Sequence, residues 1–187
     1  MLVYEPVLLP LTPYCNNLVR LRCAIVRALV SGSDAFGASP TREGAKPIST
    51  QKAKIGLFHL HLEASRHEDW FRDEGDFQAL FEKTIAIAEG TETRWLVIPD
   101  PERGGQYAAA LGLFFHNGIC RLQEVMTASA FRSRGLATRL LGQAASCAME
   151  AGIEVVALLA DPQSRAHRLY ERLGFSDLSS DVTLMRY

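Results

Sequence analysis

No stretch of this 187-residue chain comes near the roughly 18 uncharged apolar residues that a membrane span needs. The longest clean run is VVALLA at 155–160, so no membrane-spanning helix is expected. A basic surplus is missing too. Lys and Arg number 20 against 21 Asp and Glu, a formal net charge of −1, which argues against a broad nucleic-acid footprint. The four cysteines, Cys15, Cys23, Cys120 and Cys147, form no CxxC pair and no metal-ligand spacing, and read as reduced thiols. The N-terminus MLVYEPVLLPLTPY lacks a basic n-region and a small-residue cleavage site, and it carries Glu5 and Pro6. It does not read as a secretory signal, and a cytoplasmic location is expected. Neither an internal repeat nor a GxGxxG fingerprint occurs.

What the chain does have is enough apolar residue for a core. Hydrophobic residues make up 48% and charged residues 22%, and the length suits one domain with some extra chain. The near-zero charge hides segregation: residues 1–53 carry +3, residues 54–92 carry −5 and residues 93–187 carry +1. Residues 31–53, rich in Ser, Gly, Pro and Ala, read as a linker. The sequence thus divides into an N-terminal helical segment and linker over 1–50 and a domain over 51–187.

Leu18, Leu21, Ile25 and Leu29 recur at helical spacing, which predicts a helix over 17–30. Residues 54–62 (KIGLFHLHL) set Ile55, Leu57, His59 and His61 against Gly56, Phe58, Leu60 and Leu62, which predicts a strand. Ser65 with Glu68 has capping-box form and should start a short helix. Gly75 ends it, and Asp76 caps a second helix with the stripe Phe77, Leu80, Phe81, Ile85 and Ala88. Strands are expected over 94–99, 106–116 and 119–127, the last two joined by the hairpin dipeptide Asn117-Gly118. A loop over 128–134 leads into a helix over 135–150 that turns Leu136, Leu140, Ala144 and Cys147 to the core. Residues 154–160 read as a strand buried on both faces. A helix over 163–173 and two short strands, at Phe175 and 182–186, complete an α/β order with one parallel crossover.

The stretch Arg132-Ser133-Arg134-Gly135-Leu136-Ala137-Thr138 follows a strand and opens a helix. A helix start offers unpaired backbone N–H groups and a positive dipole end. Gly135 and Ala137 keep bulk away, so an anion can approach the main chain. Arg132 and Arg134 add charge, and Thr138 adds a hydroxyl. That chemistry suits a pyrophosphate. An ordinary helix start beside two solvated arginines would look the same locally.

The wider pattern resembles the GNAT N-acetyltransferase superfamily, the acetyl-CoA-dependent acyltransferases. Their signature is Arg/Gln-x-x-Gly-x-Gly/Ala after a strand reading Val-x-Val/Thr. Here Val125-x-Thr127 precedes Arg132-x-x-Gly135-x-Ala137. About thirty residues on, Ala166-x-x-x-Tyr170-x-x-x-Gly174-Phe175 is similar to the family's second signature. The resemblance covers residues 50–187. It implies a mixed, mostly antiparallel sheet with splayed parallel central strands, flanked by helices. It further implies acetyl-CoA as co-substrate, no metal, and transfer of the acetyl group to an amine of a small molecule or peptide by direct attack in a ternary complex. A CoA- or acyl-CoA-binding sensor of the same fold, without turnover, is the alternative. A homodimer stays open.

Roles follow from the same resemblance. The backbone of Val125, Met126 and Thr127 would cradle the pantetheine arm, and Arg132, Ser133, Arg134, Gly135, Leu136, Ala137 and Thr138 the pyrophosphate. Tyr170 matches the position whose hydroxyl lies near the sulfur and is the general-acid candidate; packing beside Ala166, Leu169 and Leu173 is the plainer role. Glu124 is the general-base candidate, with an ion pair to Arg121 as its alternative. His116 reads as an exposed turn residue, and His59, His61 and His67 show no metal spacing. Two positions depart from the family: Ser129 stands where Pro is frequent, and Asp161 where an Asn often contacts the pantetheine arm. The carboxylate of Asp161 can accept but not donate. Glu63, Glu68, Asp69, Asp73, Glu74 and Asp76 lie in the region that walls the acceptor pocket in relatives. They either attract a cationic amine or form a solvated face, and Trp70 and Phe71 line the pocket or the core.

Overall fold

Seven strands pair into one sheet. The computed structural model describes residues 18–29, 47–65 and 74–186. The strands are β1 (Leu18–Leu29), β2 (Ile48–Ser49), β3 (Arg94–Pro99), β4 (Tyr107–His116), β5 (Ile119–Thr127), β6 (Val155–Ala160) and β7 (Ser176–Arg186). The helices are α1 (Thr50–Ser65), α2 (Glu74–Gly90), α3 (Leu136–Glu150) and α4 (Arg165–Arg172), with a 3-10 turn at Ser129–Phe131. The order across the sheet is β2-β3-β4-β5-β6-β1-β7. β5 and β6 run parallel and the other neighbours antiparallel, which is the mixed, mostly antiparallel architecture the sequence implied. No helix among the described residues is long and apolar enough to cross a membrane.

Alternation along the strands divides the core. Leu96, Ala109, Leu111, Leu113, Cys120, Leu122, Val156, Leu158 and Ala160 form one buried cluster with Leu140, Leu141 and Ala144 of α3 and Tyr170 of α4. Trp95 and Ala110 belong to a second cluster with Ala53, Leu57 and Leu60 of α1 and Phe77, Phe81, Ile85 and Ala88 of α2. One helix pair therefore covers each face. The β4–β5 turn is as expected: Asn117 and Gly118 have φ of 47° and 74°, and His116 pairs with Ile119, which is a two-residue hairpin loop.

Several expectations are corrected. Residues 18–29 form a strand, not a helix; β1 pairs with β6 on one side and β7 on the other. The helical spacing of Leu18, Leu21, Ile25 and Leu29 coexists with a period-two alternation of Val19, Leu21, Cys23 and Ile25 against Arg20, Arg22 and Ala24, and sheet pairing decides. Strand β1 thus lies in the same sheet as β2 to β7. Residues 54–62 lie within a helix, because burying Ala53, Leu57 and Leu60 against α2 needs a 3.6-residue period. Helix α2 already begins at Glu74, so Gly75 and Asp76 sit in its first turn; the short helix expected from Ser65 runs outside the described residues. In β6, Leu159 is exposed, since α1 and α2 cover β3 to β5 and not this strand. The two final strands merge into the single β7.

Gly56 explains how closely α1 packs. A Cβ built there would stand 2.4 Å from the Tyr107 ring of β4. Gly56→Leu should destabilise the chain by about 1–3 kcal/mol through overpacking, read as a lower denaturant midpoint at unchanged slope.

Candidate active site

The parallel pairing of β5 and β6 is short. It links Ile119 to Val155, Cys120 to Val156 and Arg121 to Ala157, and then the strands part. β5 continues to Thr127 and β6 to Ala160. Beyond Arg121, among the described residues, β5 thus has a strand partner only on its β4 side. This is the splayed pair expected from the resemblance.

A bulge lies where the strands part. Gly112 pairs with Gln123 and Ala110 with Met126, so two residues of β5, Glu124 and Val125, oppose the single Leu111. Glu124 takes a left-handed φ of 50°. A non-glycine residue there costs roughly 1–2 kcal/mol. The extra residue resets the alternation. Leu122 and Val125, three apart, both pack in the α3/α4 cluster, while Met126 packs in the α1/α2 cluster. Glu124 is thereby aimed at α1. Its Oε2 lies 3.9 Å from Nε2 of His61, whose side chain is 13% exposed against 42% for Glu124. Burial lowers the His61 pKa, and Glu124 partly raises it again, so at neutral pH the ring is uncharged. The Phe81 ring of α2 meets it edge-on at 5.4 Å. Sequence reasoning overlooked His61 because it placed residues 54–62 on a strand; helical spacing from Leu57 was the signal that could have found it.

The loop before α3 is exposed from Arg132 to Gly135, and Leu136, Ala137 and Thr138 are half-buried. Ser133 and Gly135 both take left-handed φ, 62° and 76°. Gly135 is the N-cap residue and supplies no side-chain cap, so the first N–H groups of α3 lack that partner. A Cβ at Gly135 would meet nothing within 4 Å, which leaves an open cradle. Arg132 donates from Nε to the Thr127 carbonyl at 3.3 Å, and the Arg134 guanidinium lies 5.2 Å from the Phe131 ring centre. Arg165 of α4 donates to Ser133 Oγ at 3.2 Å, tying the two helix starts together.

Ser129, where the family often has Pro, has its own partner. Its N–H and its hydroxyl both donate to Glu63 Oε1 of α1, each at 2.6 Å. A proline would lack the N–H. These bonds hold the Glu63 carboxyl below its usual range, and Glu63 is therefore engaged as a brace. Glu68, Asp69, Trp70, Phe71 and Asp73 lie outside the described residues.

Tyr170 is positioned by the end of α4. Gly174, at φ 85°, donates its N–H to the Glu171 carbonyl, and Phe175 donates to the Tyr170 carbonyl, each at 3.0 Å. This is a Schellman closure, with the Phe175 ring 5.8 Å from that of Tyr170. The spacing Tyr170-x-x-x-Gly174-Phe175 is thus a helix stop that fixes the tyrosine. Burial pushes the phenol up to about 12. Ala166 is exposed rather than packed beside it. Asp161 follows β6; its Oδ1 accepts from Gln163 N–H at 2.9 Å and starts the turn into α4, where Ser164 caps His167 N–H at 3.0 Å. Ser133 and Arg165 thus meet at the loop end of the parted strands, Arg132 reaches back to Thr127, Asp161 is engaged within its own turn, and Glu124 lies near His61 on the α1 side. His116 is exposed in the hairpin. Among the described residues no three His, Cys, Asp or Glu side chains converge as metal ligands do.

Known proteins bear on this geometry. No curated protein matches the sequence. A functionally unknown conserved protein from Staphylococcus epidermidis superposes with a TM-score of 0.66 at 12% identity, over 90% of this chain and 62% of its own. A GCN5-related N-acetyltransferase from Sphaerobacter thermophilus gives 0.59 at 16% identity, over 91% of this chain and 53% of its own. An acetyltransferase of the GNAT family from Staphylococcus aureus gives 0.55 at 17% identity, over 72% and 85%. The chain thus spans less than two thirds of the first two, and at these identities the likeness is one of fold. The family model described as Acetyltransferase (GNAT) family matches residues 57–175, from the middle of α1 to Phe175, and the chain belongs to that family.

Proposed function

We propose that this chain moves the acetyl group of acetyl-CoA to a primary amine by direct attack with both substrates bound. The observation that carries the reading is the parting of β5 and β6 after Arg121, beside the left-handed bulge at Glu124. An unpaired strand edge is where an amide-bearing pantetheine arm can bind as a further strand would. Backbone N–H groups of the Val125–Thr127 run then polarise the thioester carbonyl. The uncapped start of α3, with Arg132 and Arg134, receives the pyrophosphate. Glu124 is the base that the amine needs. The reaction belongs in the cytoplasm, a compartment that keeps the free thiols Cys120 and Cys147 reduced.

Tyr170 serves the leaving sulfur, and magnitudes define how. A full proton transfer from a phenol near 12 to a thiolate whose acid has a pKa near 8.5 runs uphill by about 5 kcal/mol. Its hydroxyl therefore acts as a neutral hydrogen-bond donor to the developing charge, and solvent supplies the final proton. Tyr170→Phe should lower kcat roughly 10²-fold, as loss of one oxyanion donor does, with little change in acetyl-CoA affinity. An unchanged kcat would remove Tyr170 from the reaction.

Two measurements test the whole reading. Acetyl-CoA should raise the melting temperature, and an amine panel should release free thiol. A melting shift without thiol release from amines, aminoglycosides, polyamines or peptides would instead support a CoA-binding sensor.

A further inference from the structure

We infer that Glu63 is a positioning residue for the cofactor: through Ser129 it holds the loop ahead of α3 in the form that receives the pyrophosphate. The inference rests on the acetyl-transfer reading and adds to it a residue that acts on cofactor binding without touching the cofactor.

The need for a brace is the first argument. The loop runs from the end of β5 at Thr127 to the start of α3 at Leu136. The strand that leads into it has a strand partner only on its β4 side, among the described residues. Arg132, Ser133, Arg134 and Gly135 are exposed, and Ser133 holds a left-handed φ of 62° that a non-glycine residue disfavours. Contacts from outside must therefore keep the loop in one form. Phe131 packs in the α1/α2 cluster, Arg165 of α4 reaches Ser133 at 3.2 Å, and Glu63 of α1 takes both donors of Ser129 at 2.6 Å. The bonds to Glu63 are the shortest of these, and a carboxylate acceptor makes them the strongest.

The place of Ser129 is the second argument. Phe131 N–H donates to the Ala128 carbonyl at 2.9 Å, and Arg132 N–H donates to the Ser129 carbonyl at 3.2 Å. Ser129 thus opens the turn that aims Arg132, and its own N–H takes no part in those bonds. That N–H goes to Glu63. Ala128 stands at φ −56° and ψ 143°, the extended form that a residue before proline takes. A proline at 129 therefore suits the turn: its ring would fix the φ that the bonds to Glu63 now hold, and both turn bonds would remain.

The sign of the effect separates bracing from charge. The Ser129 bonds hold the Glu63 carboxyl below its usual range, and Arg103 and Arg132 lie close enough to lower it further. Glu63 is thus a negative charge beside an arginine of the phosphate loop. By Coulomb attraction alone, its removal would free that arginine and tighten the binding of a polyanion. Loss of a brace does the opposite. The receiving form of the loop becomes one fraction of an ensemble, and the apparent affinity falls by that fraction.

The test titrates acetyl-CoA into the full chain by calorimetry, with no acceptor present. Glu63→Ala should raise the Kd by about five- to tenfold, and Ser129→Pro should leave it within about twofold of the wild type. In the Ser129→Pro background, Glu63→Ala should bring no further loss. Glu63→Gln keeps an oxygen for both donors without the charge, and its Kd should fall between those of the wild type and Glu63→Ala. Melting without ligand checks that each variant folds. The two Glu63 variants, changed at a half-buried surface position, decide the sign even if Ser129→Pro does not fold. An unchanged or lower Kd in Glu63→Ala, or an equal loss from Glu63→Ala in both Ser129 backgrounds, would overturn the inference. Failure of the acetyl-transfer reading looks different: the wild-type chain would itself bind no acetyl-CoA.

Discussion

Gly135→Glu should abolish the rise in melting temperature that acetyl-CoA gives the wild-type chain. A ligand present at a hundred times its Kd stabilises the folded state by about 2.7 kcal/mol, which for a chain of this size is a rise of roughly 5–10 °C. Gly135 sits at φ 76° at the head of α3, with open space where a Cβ would go. Any L-residue there costs roughly 1–2 kcal/mol of backbone strain, so the melting temperature without ligand should fall for Gly135→Ala and Gly135→Glu alike. The Cβ that both add meets no neighbouring atom within 4 Å and the position is exposed, so both should fold. The two differ in what they present to a pyrophosphate. Alanine adds one methyl group, and part of the ligand-induced rise should survive. Glutamate adds a carboxylate at the positive end of the helix, where it competes for the same N–H groups and repels the phosphates. A Gly135→Glu protein with the full acetyl-CoA shift would mean that the cofactor binds elsewhere.

What the sequence revealed about this loop, and what it hid in β1, depends on how local the encoding is. The run from Val125 to Thr138 is local. A strand, a turn with positive-φ positions and a helix start are encoded by adjacent residues, and Asn117-Gly118 encodes its hairpin in the same way. The Schellman stop at Gly174-Phe175 is equally local, although its meaning as the device that holds Tyr170 emerges only from the bonds. Strand β1 is the opposite case. Its partners in β6 and β7 lie more than a hundred residues away, and no local pattern separates helical spacing from strand alternation when Leu21 and Ile25 satisfy both. Helix α1 failed for another reason. KIGLFHLHL is apolar almost throughout, so its period is nearly invisible until Tyr107 is seen to need the space above Gly56. With α1 read as a strand, His61 had no reason to meet Glu124. The loop side of the parted strands was therefore legible and the α1 side was not.

Glu124→Gln and Glu124→Gly together should separate the chemistry of this residue from its strain. Glutamine keeps the size of the side chain and the φ of 50° and removes the negative charge. Stability should hardly change, because the carboxylate is 42% exposed and its pairing with the uncharged His61 at 3.9 Å contributes little. The rate of acetyl transfer should fall by roughly 10²–10⁴-fold, the range expected when a general base is lost. Glycine acts on both. It relieves the left-handed strain, worth up to about 1 kcal/mol once the flexibility it adds to the unfolded chain is counted. The Gly variant should therefore melt at or above the wild-type temperature, yet be at least as slow as the Gln variant. Such a protein, more stable and nearly inactive, would show that the bulge is held in an unfavourable conformation for the sake of the carboxylate it presents. If the Gly variant were less stable than the wild type and kept its rate, Glu124 would be a structural residue, and the proton would have to leave the amine by another route.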